Sequence, residues 1–483
     1  MKLKFFAVLA IVSSTNTFAV TPDAQADIEL FIAGSASYDD RLQYYIEQNL
    51  CSGDFDTFLD SKSMQLGLKG FSWYGEAGEN YRAWSCIVNE QKIPGADPGD
   101  ILLIHKNSKG GSGFGVFPVA RQGEIERLDL LNAHCEEVDP GEWKCTQITS
   151  GDTPLVGVSD LEPKVFKGYN QVPSFGDVQQ TDLDALTTFA QSQQVFGVPV
   201  TTELRNVLQQ AQGLTVGADD EANMPSLSSN LVRSLFTGQV NSWYDVVDAN
   251  GTDLMTLAGA AAPAQDSVAL CIRASGSGAR AQFMINFLRT SCLDASVAPY
   301  LVEGGDWPML QTNSDAGDMG DCIADFGADD SLQWAIGYQS TDKNMDLGDN
   351  YRFVKIDGAA PTLENVANDK YLDWVEQTLQ YNTAAYNAAP QAAKSVIDLI
   401  AEEAGQSAIV AGVNPKYIHP WGQGGYMAIP TSIHGIQPPA FPYSDYSDFY
   451  PVNSTTRSPG GFGPDSCRPP VHVNGAWPGA VGF

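Results

Sequence analysis

"CIRASGSGAR", residues 271–280, is the stretch on which the reading of this chain turns. Ahead of it, "SVALCIR" (Ser267–Arg273) is a short apolar run of strand character. Behind it, "ARAQFMINFLRTS" sets Phe283, Met284, Phe287 and Leu288 on one helical face. The stretch is therefore a strand-to-helix turn of alternating glycine and serine, with Ser275 or Ser277 near the helix N-cap. The first N–H groups of a helix have no partners within it and lie at the positive end of its dipole, so such a turn captures anions. Arg273 adds a guanidinium suited to a charge-assisted contact with an oxyanion.

The same device recurs along the chain. "IELFIAG" (Ile28–Gly34) is a strand followed by a helical pattern through Leu42, Tyr45, Ile46 and Leu50. "DILLIHK" (Asp100–Lys106) is a second strand, with "GGSGFGV" (Gly110–Val116) after it, and "TPLVGVSD" (Thr153–Asp160) is a third. A lone Gly/Ser turn is ordinarily just a tight connection. Here Gly34–Ser37, Gly111–Gly113, Ser159–Asp160 and Ser275–Gly278 all fall at the carboxyl ends of strands, where open α/β sheets bind ligands.

Composition frames that reading. The chain has 483 residues, 43% hydrophobic and 18% charged, which is globular and long enough for two or three domains. With 27 Lys and Arg against 58 Asp and Glu, the formal charge is −31. Such a field repels nucleic acid and anionic membranes, so any anion must be held by a local, preorganised site.

"MKLKFFAVLAIVSSTNTFA" has Lys2 and Lys4 before an apolar run and a small residue at Ala19, the pattern of a cleaved export signal at residues 1–19. The apolar run falls short of the ~20 residues that span a bilayer, and no stable membrane insertion is expected. In an exported chain, eight cysteines read as disulfides. Cys135 and Cys145 bracket a Pro140-Gly141 turn and are the best-supported pair. Cys51 with Cys86 is the next choice, leaving Cys271, Cys292, Cys322 and Cys467 unassigned.

In order, "IAGSAS", "GGSGFGV", "GVSDLEP", "LFTGQVNSW", "RASGSGA", "AIGYQS" and "DGAAPTLENVANDKY" resemble the periplasmic phosphate-binding proteins of ABC importers over roughly residues 27–380. The resemblance implies an α/β, two-lobed type II periplasmic-binding-protein fold with disulfide-stapled insertions and a Pro/Gly/aromatic-rich C-terminal extension. It also implies a first lobe over 20–165, a second over 166–340, a return over 341–380, and a C-terminal helix and extended tail over 381–483. The implied ligand is inorganic phosphate or a similar oxyanion, with an ABC importer membrane complex as partner and no cofactor. Carried over by position, Ser35 or Ala36 supplies backbone contacts, Ser112 a hydroxyl and Asp160 an acceptor. Arg273 supplies the guanidinium, and Ser277 with Gly278 the helix N-terminus. Asp160 acts as a selector: a carboxylate accepts a hydrogen bond from protonated phosphate and repels sulfate, which carries no proton at neutral pH.

This chain departs from the family at two places in the fourth turn, where Ser275 stands for an acid and Ala279 for a threonine. Asp39 and Asp40, just after the first turn, would oppose an anion if they faced the cleft. The chain between the first three turns is also long. Its surplus holds Cys51, Cys86, Cys135 and Cys145, and covers the cleft or forms a docking surface. Beyond residue 380, "PQAAKSVIDLIAEEAG" (Pro390–Gly405) reads as a helix. The tail from Pro438 reads as an extended strap tied by Cys467, with a recognition segment as the alternative.

No catalytic or metal motif stands beside these turns. The five histidines are scattered, "GGSGFG" lacks the Gly-Lys-Ser/Thr of a P-loop, and no Gly-x-Ser-x-Gly elbow sits between strand and helix. Two readings remain: an exported oxyanion-binding protein, and a secreted structural or interaction protein that keeps the fold without the anion site.

Overall fold

The computed structural model describes residues 25–61, 78, 80–290, 309–313, 316–326, 333–430, 451–458 and 463–472. The expected export signal and most of the aromatic tail lie outside these.

The first half is built on β1 (Ile28–Gly34), β2 (Cys51–Asp60), β3 (Tyr81–Val88), β4 (Ile101–Asn107), β5 (Cys135–Asp139), β6 (Glu142–Cys145) and β7 (Val156–Ser159). A long strand follows, β8 (Leu186–Thr201), and then β9 (Ala269–Arg273), β10 (Met309–Asn313), β11 (Ala335–Gly337), β12 (Tyr351–Ile356) and β13 (Trp374–Asn382). The hydrogen-bonded path runs β10-β9-β11-β8-β13-β7-β1-β4-β3-β2-β6-β5. The strands read from the sequence at 28–34, 100–106, 153–160 and 267–273 are β1, β4, β7 and β9, and three of these four meet as parallel neighbours, with β1 between β4 and β7.

Two long strands join the halves. β8 and β13 pair antiparallel from Leu186 with Asn382 to Val195 with Trp374, and β13 continues onto β7 of the first half. The far end of β8 pairs instead with β11 and β12 of the second half. Within β8 the pairing thus passes from β13 to β11 and β12. Before this strand, residues 166–185 pack on the first lobe, where Phe175 stacks on Phe117 and Arg121 pairs with Asp182 at 2.8 Å.

The first-lobe core gathers Leu30 and Ile32 of β1 with Leu42, Tyr45, Trp84 and Ile104, and Val396, Ile397 and Ile400 of the C-terminal helix (Gln391–Glu403) close it. That helix is thus an integral layer of the first lobe. The second core joins Val198, Leu204, Leu235, Leu270, Phe283 and Ile336, and continues to Leu161 and Phe166 across the seam. The insertions carry β2, β3, β5 and β6, which extend the first-lobe sheet away from the crossing strands. Their described parts build out the sheet edge and leave the seam between the lobes alone.

Cys51–Cys86 and Cys135–Cys145 are both bridged, as the sequence led us to expect. A third bridge, Cys271–Cys322, ties β9 to the helix Ala316–Phe326 across 51 residues. Both its sulfurs belong to fully buried residues, in the strand that delivers Arg273 and the helix packed on it. Closing a loop of this length removes about 4 kcal/mol of unfolded-state entropy. Replacing both cysteines by alanine should lower the unfolding free energy by roughly that amount, read from urea denaturation of the full chain.

Candidate functional site

The turns after β1, β4, β7 and β9 converge in the seam between the lobes. They line a cavity of about 40 Å³. One water needs about 10–15 Å³, so the space is of a size that suits a small tetrahedral ion. Ser35, Ala36, Ser112, Asp160, Arg273 and Ser277 all line it.

Each turn is placed by a local constraint. Gly34 has φ of 119°, and a β-carbon there would lie 1.9 Å from the Val158 carbonyl oxygen, so only glycine lets β1 and β7 end side by side. Ser35 then donates its N–H to the Val158 carbonyl at 3.0 Å. On the opposite lobe, Ser277 caps the helix Gly278–Asn286 without a side-chain bond to it. Gly278 does not line the cavity itself. It abuts the far wall so closely that a β-carbon would lie 2.5 Å from Ser112 Oγ and 2.6 Å from Asp160 Oδ2.

Asp160 sits at the centre and is buried. Its Oδ1 accepts from the hydroxyls of Ser35 at 2.7 Å and Ser37 at 2.5 Å, and its Oδ2 accepts from Ser112 at 2.9 Å. The Asp160 N–H returns a bond to Ser112 Oγ at 3.1 Å. Ser37 is a residue that sequence reasoning missed, although it stands two positions after Ser35 in the same turn. Its direction is set from behind: Gln377 of β13 donates its amide N–H to Ser37 Oγ at 2.7 Å. That amide is held in turn by Arg41, whose guanidinium donates to Gln377 Oε1 at 2.8 Å and to Gln191 Oε1 at 3.0 Å. With its oxygen already accepting, Ser37 points its proton at Asp160.

Arg41 is fully buried, stacked at 4.4 Å from the Tyr38 ring and 5.3 Å from Tyr426. Burial pulls its pKa down, against the pull of the tyrosines. A second buried cation, Lys106, donates to the Gly34 carbonyl at 2.9 Å and to Ser108 Oγ at 2.7 Å, directly beneath the first turn. Burial lowers its pKa and Asp39 opposes that. Asp39 accordingly lies 3.2 Å from Lys106 and 3.4 Å from Arg82, and accepts from Ser108. It is neutralised inside the lobe and does not confront the cavity as a bare charge. Asp40 turns to Arg82 at 3.5 Å and to the Tyr417 hydroxyl at 2.8 Å.

Ser275, standing where the family has an acid, faces outward. Its hydroxyl donates to the carbonyls of Gln171 at 2.7 Å and Tyr169 at 3.1 Å. Beside it Gly113 of the first lobe donates its N–H to the Gly276 carbonyl of the second at 3.0 Å, with Val172 packed over both glycines. Ser275 thus latches the lobes together instead of touching the cavity, while Ala279 presents a methyl group to it. "IGYQS", which the sequence offered only as a sign of the fold, places Tyr338, Gln339 and Ser340 on the wall. The Tyr338 hydroxyl points away to Asp373 at 2.8 Å. Burial pushes the Asp373 carboxyl up to about 6, against the bonds from Asn286, Tyr338 and Gln282. Among the described residues no group of three or more His, Cys, Asp or Glu is placed to hold a metal ion.

The chain is similar to phosphate-binding proteins of known structure. A phosphate ABC transporter substrate-binding protein with bound phosphate from Clostridium perfringens aligns at 14% identity and a TM-score of 0.41, over 80% of this chain and 97% of that one. An ABC-type phosphate transport receptor from Vibrio cholerae aligns at 12% and 0.36, over 80% and 98%. A phosphate-binding protein from Stenotrophomonas maltophilia aligns at 12% and 0.35, over 81% and 83%. No family model and no curated protein matches the sequence.

The close approach of Gly278 gives a direct test of the cavity. Gly278→Ala places a methyl against Ser112 Oγ and Asp160 Oδ2, two short, buried side chains with little room to give. We expect the variant to stay folded by circular dichroism and to lose roughly tenfold or more in oxyanion affinity, about 1.4 kcal/mol, by calorimetry.

Proposed function

We propose that this chain is an exported solute-binding protein that captures inorganic phosphate, or a similar protonated oxyanion, in the seam between its lobes, for uptake through an ABC importer or for scavenging. The observation that carries this reading is the proton inventory at Asp160. An ionised carboxylate has about four acceptor positions. Three are taken by Ser35, Ser37 and Ser112, and the remaining one is on Oδ2 of this cavity-lining residue. A ligand that fills it must bring a proton. Monohydrogen phosphate brings one and dihydrogen phosphate two, and arsenate does likewise; sulfate at neutral pH brings none.

The charge on the ligand is met from the other side. Arg273 lines the cavity, and the first-turn N–H groups of the helix Gly278–Asn286 begin at its wall. Arg41, whose hydrogen-bond acceptors are neutral, adds buried positive charge behind the first turn, where low dielectric strengthens its effect on an anion. The resemblance of the ordered turns to the periplasmic phosphate-binding family supports the same ligand class, and the N-terminal pattern supports export.

Calorimetry on the full mature chain, freed of phosphate, tests this. Phosphate should bind at micromolar affinity or tighter, and sulfate should give no heat. Asp160→Asn and Arg273→Ala should each weaken phosphate by roughly 10- to 150-fold, the 1.5–3 kcal/mol of a hydrogen bond to a charged group. Asp160→Asn should also narrow the gap between phosphate and sulfate. Equal binding of the two ions by the unaltered protein would overturn the role of Asp160. Absence of heat with phosphate, arsenate and sulfate alike would leave the secreted interaction protein as the better reading.

A further inference from the structure

Two strands, β8 and β13, connect the lobes, and in a hinged protein such strands flex by changing a few backbone angles. Here their inner polar side chains are occupied by a third segment of chain. Gln193 of β8 and Glu376 of β13 face each other in register and are joined by the Gln193 amide at 3.1 Å. The C-terminal strap lies across this pair. Asn453 donates to Gln193 Oε1, and Gln193 donates back to the Thr455 carbonyl at 3.0 Å. Glu376 then receives the Thr456 hydroxyl and the Arg457 N–H at 2.8 Å on one oxygen, and the Ser458 hydroxyl on the other. Every one of these residues is buried, Glu376 to 1% exposure.

The strap also holds each lobe. Ser466 binds both oxygens of Glu162, by its N–H at 2.9 Å and its hydroxyl at 2.6 Å, two residues beyond Asp160 in the first lobe. Asp465 pairs with Lys164 at 2.6 Å beside it. In the second lobe, Arg457 reaches Asn286, the last residue of the helix whose first residue abuts Asp160. The Arg457 guanidinium also binds the Ser466 carbonyl at 2.9 Å and lies over Trp374 at 4.9 Å, drawing the two described pieces of the strap together.

We propose that the strap, residues 451–458 with 463–472, is a clamp that keeps the lobes closed whether or not the cavity is filled, so that ligand enters and leaves during brief, sparsely populated releases of the strap. Hinge bending that moved the lobes apart would pull Glu162, Glu376 and Asn286 away from the segment that joins them. It would also strip a buried carboxylate of three donors, and a buried charge left without partners is costly. Ordinary two-lobed proteins move freely because little crosses between their domains. In this chain the hinge itself is cross-braced.

The test measures the distance between the lobes in the full-length protein by pulsed electron spin resonance. Spin labels are carried on non-natural amino acids at Gln91 and Val216, both exposed and on opposite lobes, so the disulfides stay intact. The expected result is one narrow distance distribution, the same in phosphate-free buffer and in excess inorganic phosphate. In Ser458→Ala/Ser466→Ala, and separately in Thr456→Val, a second, longer distance should emerge in phosphate-free buffer. Widening of the unaltered protein's distribution on phosphate removal would overturn the clamp. So would variants that melt cooperatively yet keep the single closed distance. If the variants fail to fold, the comparison within the unaltered protein still decides. Failure of phosphate binding is read separately, as missing calorimetric heat with the closed distance unchanged.

Discussion

A carboxylate buried between two lobes stands only if its lone pairs are filled, and at Asp160 that requirement organises the seam. Its donors come from turns far apart in the chain: Ser35 and Ser37 after β1, and Ser112 after β4. Gly278 of the opposite lobe rests against the same side chain. The conformation of each turn and the approach of the lobes are thereby tied to one carboxylate. The bond from Gln377 to Ser37 ties it further to a crossing strand, and through Arg41 to the helix Asp39–Tyr45.

The distribution of charge follows a consistent logic. A chain of formal charge −31 repels anions at a distance, so attraction has to be concentrated where water is excluded. Lys106, Arg41 and Arg457 are all buried, each close to the seam or the hinge. Lys106 is balanced by Asp39, whereas Arg41 donates to amide and hydroxyl oxygens and lies against tyrosine rings. Neutral acceptors leave the net positive charge of Arg41 in place behind the first turn. Arg457 has Glu376, Asp373 and Glu162 as its charged neighbours, so its charge is offset by carboxylates where that of Arg41 is not.

Much of this arrangement is legible in the amino-acid order. The strands and the helices after β1 and β9 announce themselves through apolar periodicity, and the Gly/Ser turns that line the cavity through their repetition at strand ends. Cys135–Cys145 follows from a turn between near neighbours. Cys271–Cys322 does not, because its partners meet only when a helix packs on β9. Asp39 looks like an obstacle in the sequence because its neutralising Lys106 lies on another strand. Ser275 looks like a lost ligand because sequence position cannot say which way a hydroxyl points.

Taken alone, the sequence determined the local pieces: which segments are strands, where glycine must stand, and which turns can present N–H groups to an anion. Those follow from steric rules and periodicity acting over a few residues. The tertiary structure alone decided that Gln377 aims Ser37 at Asp160, and that Ser458 and Ser466 fasten the strap to Glu376 and Glu162. These are polar contacts between residues up to 340 positions apart. A serine or glutamine carries no periodic signature, and its partner is chosen only once the sheet has brought both into the same dry space.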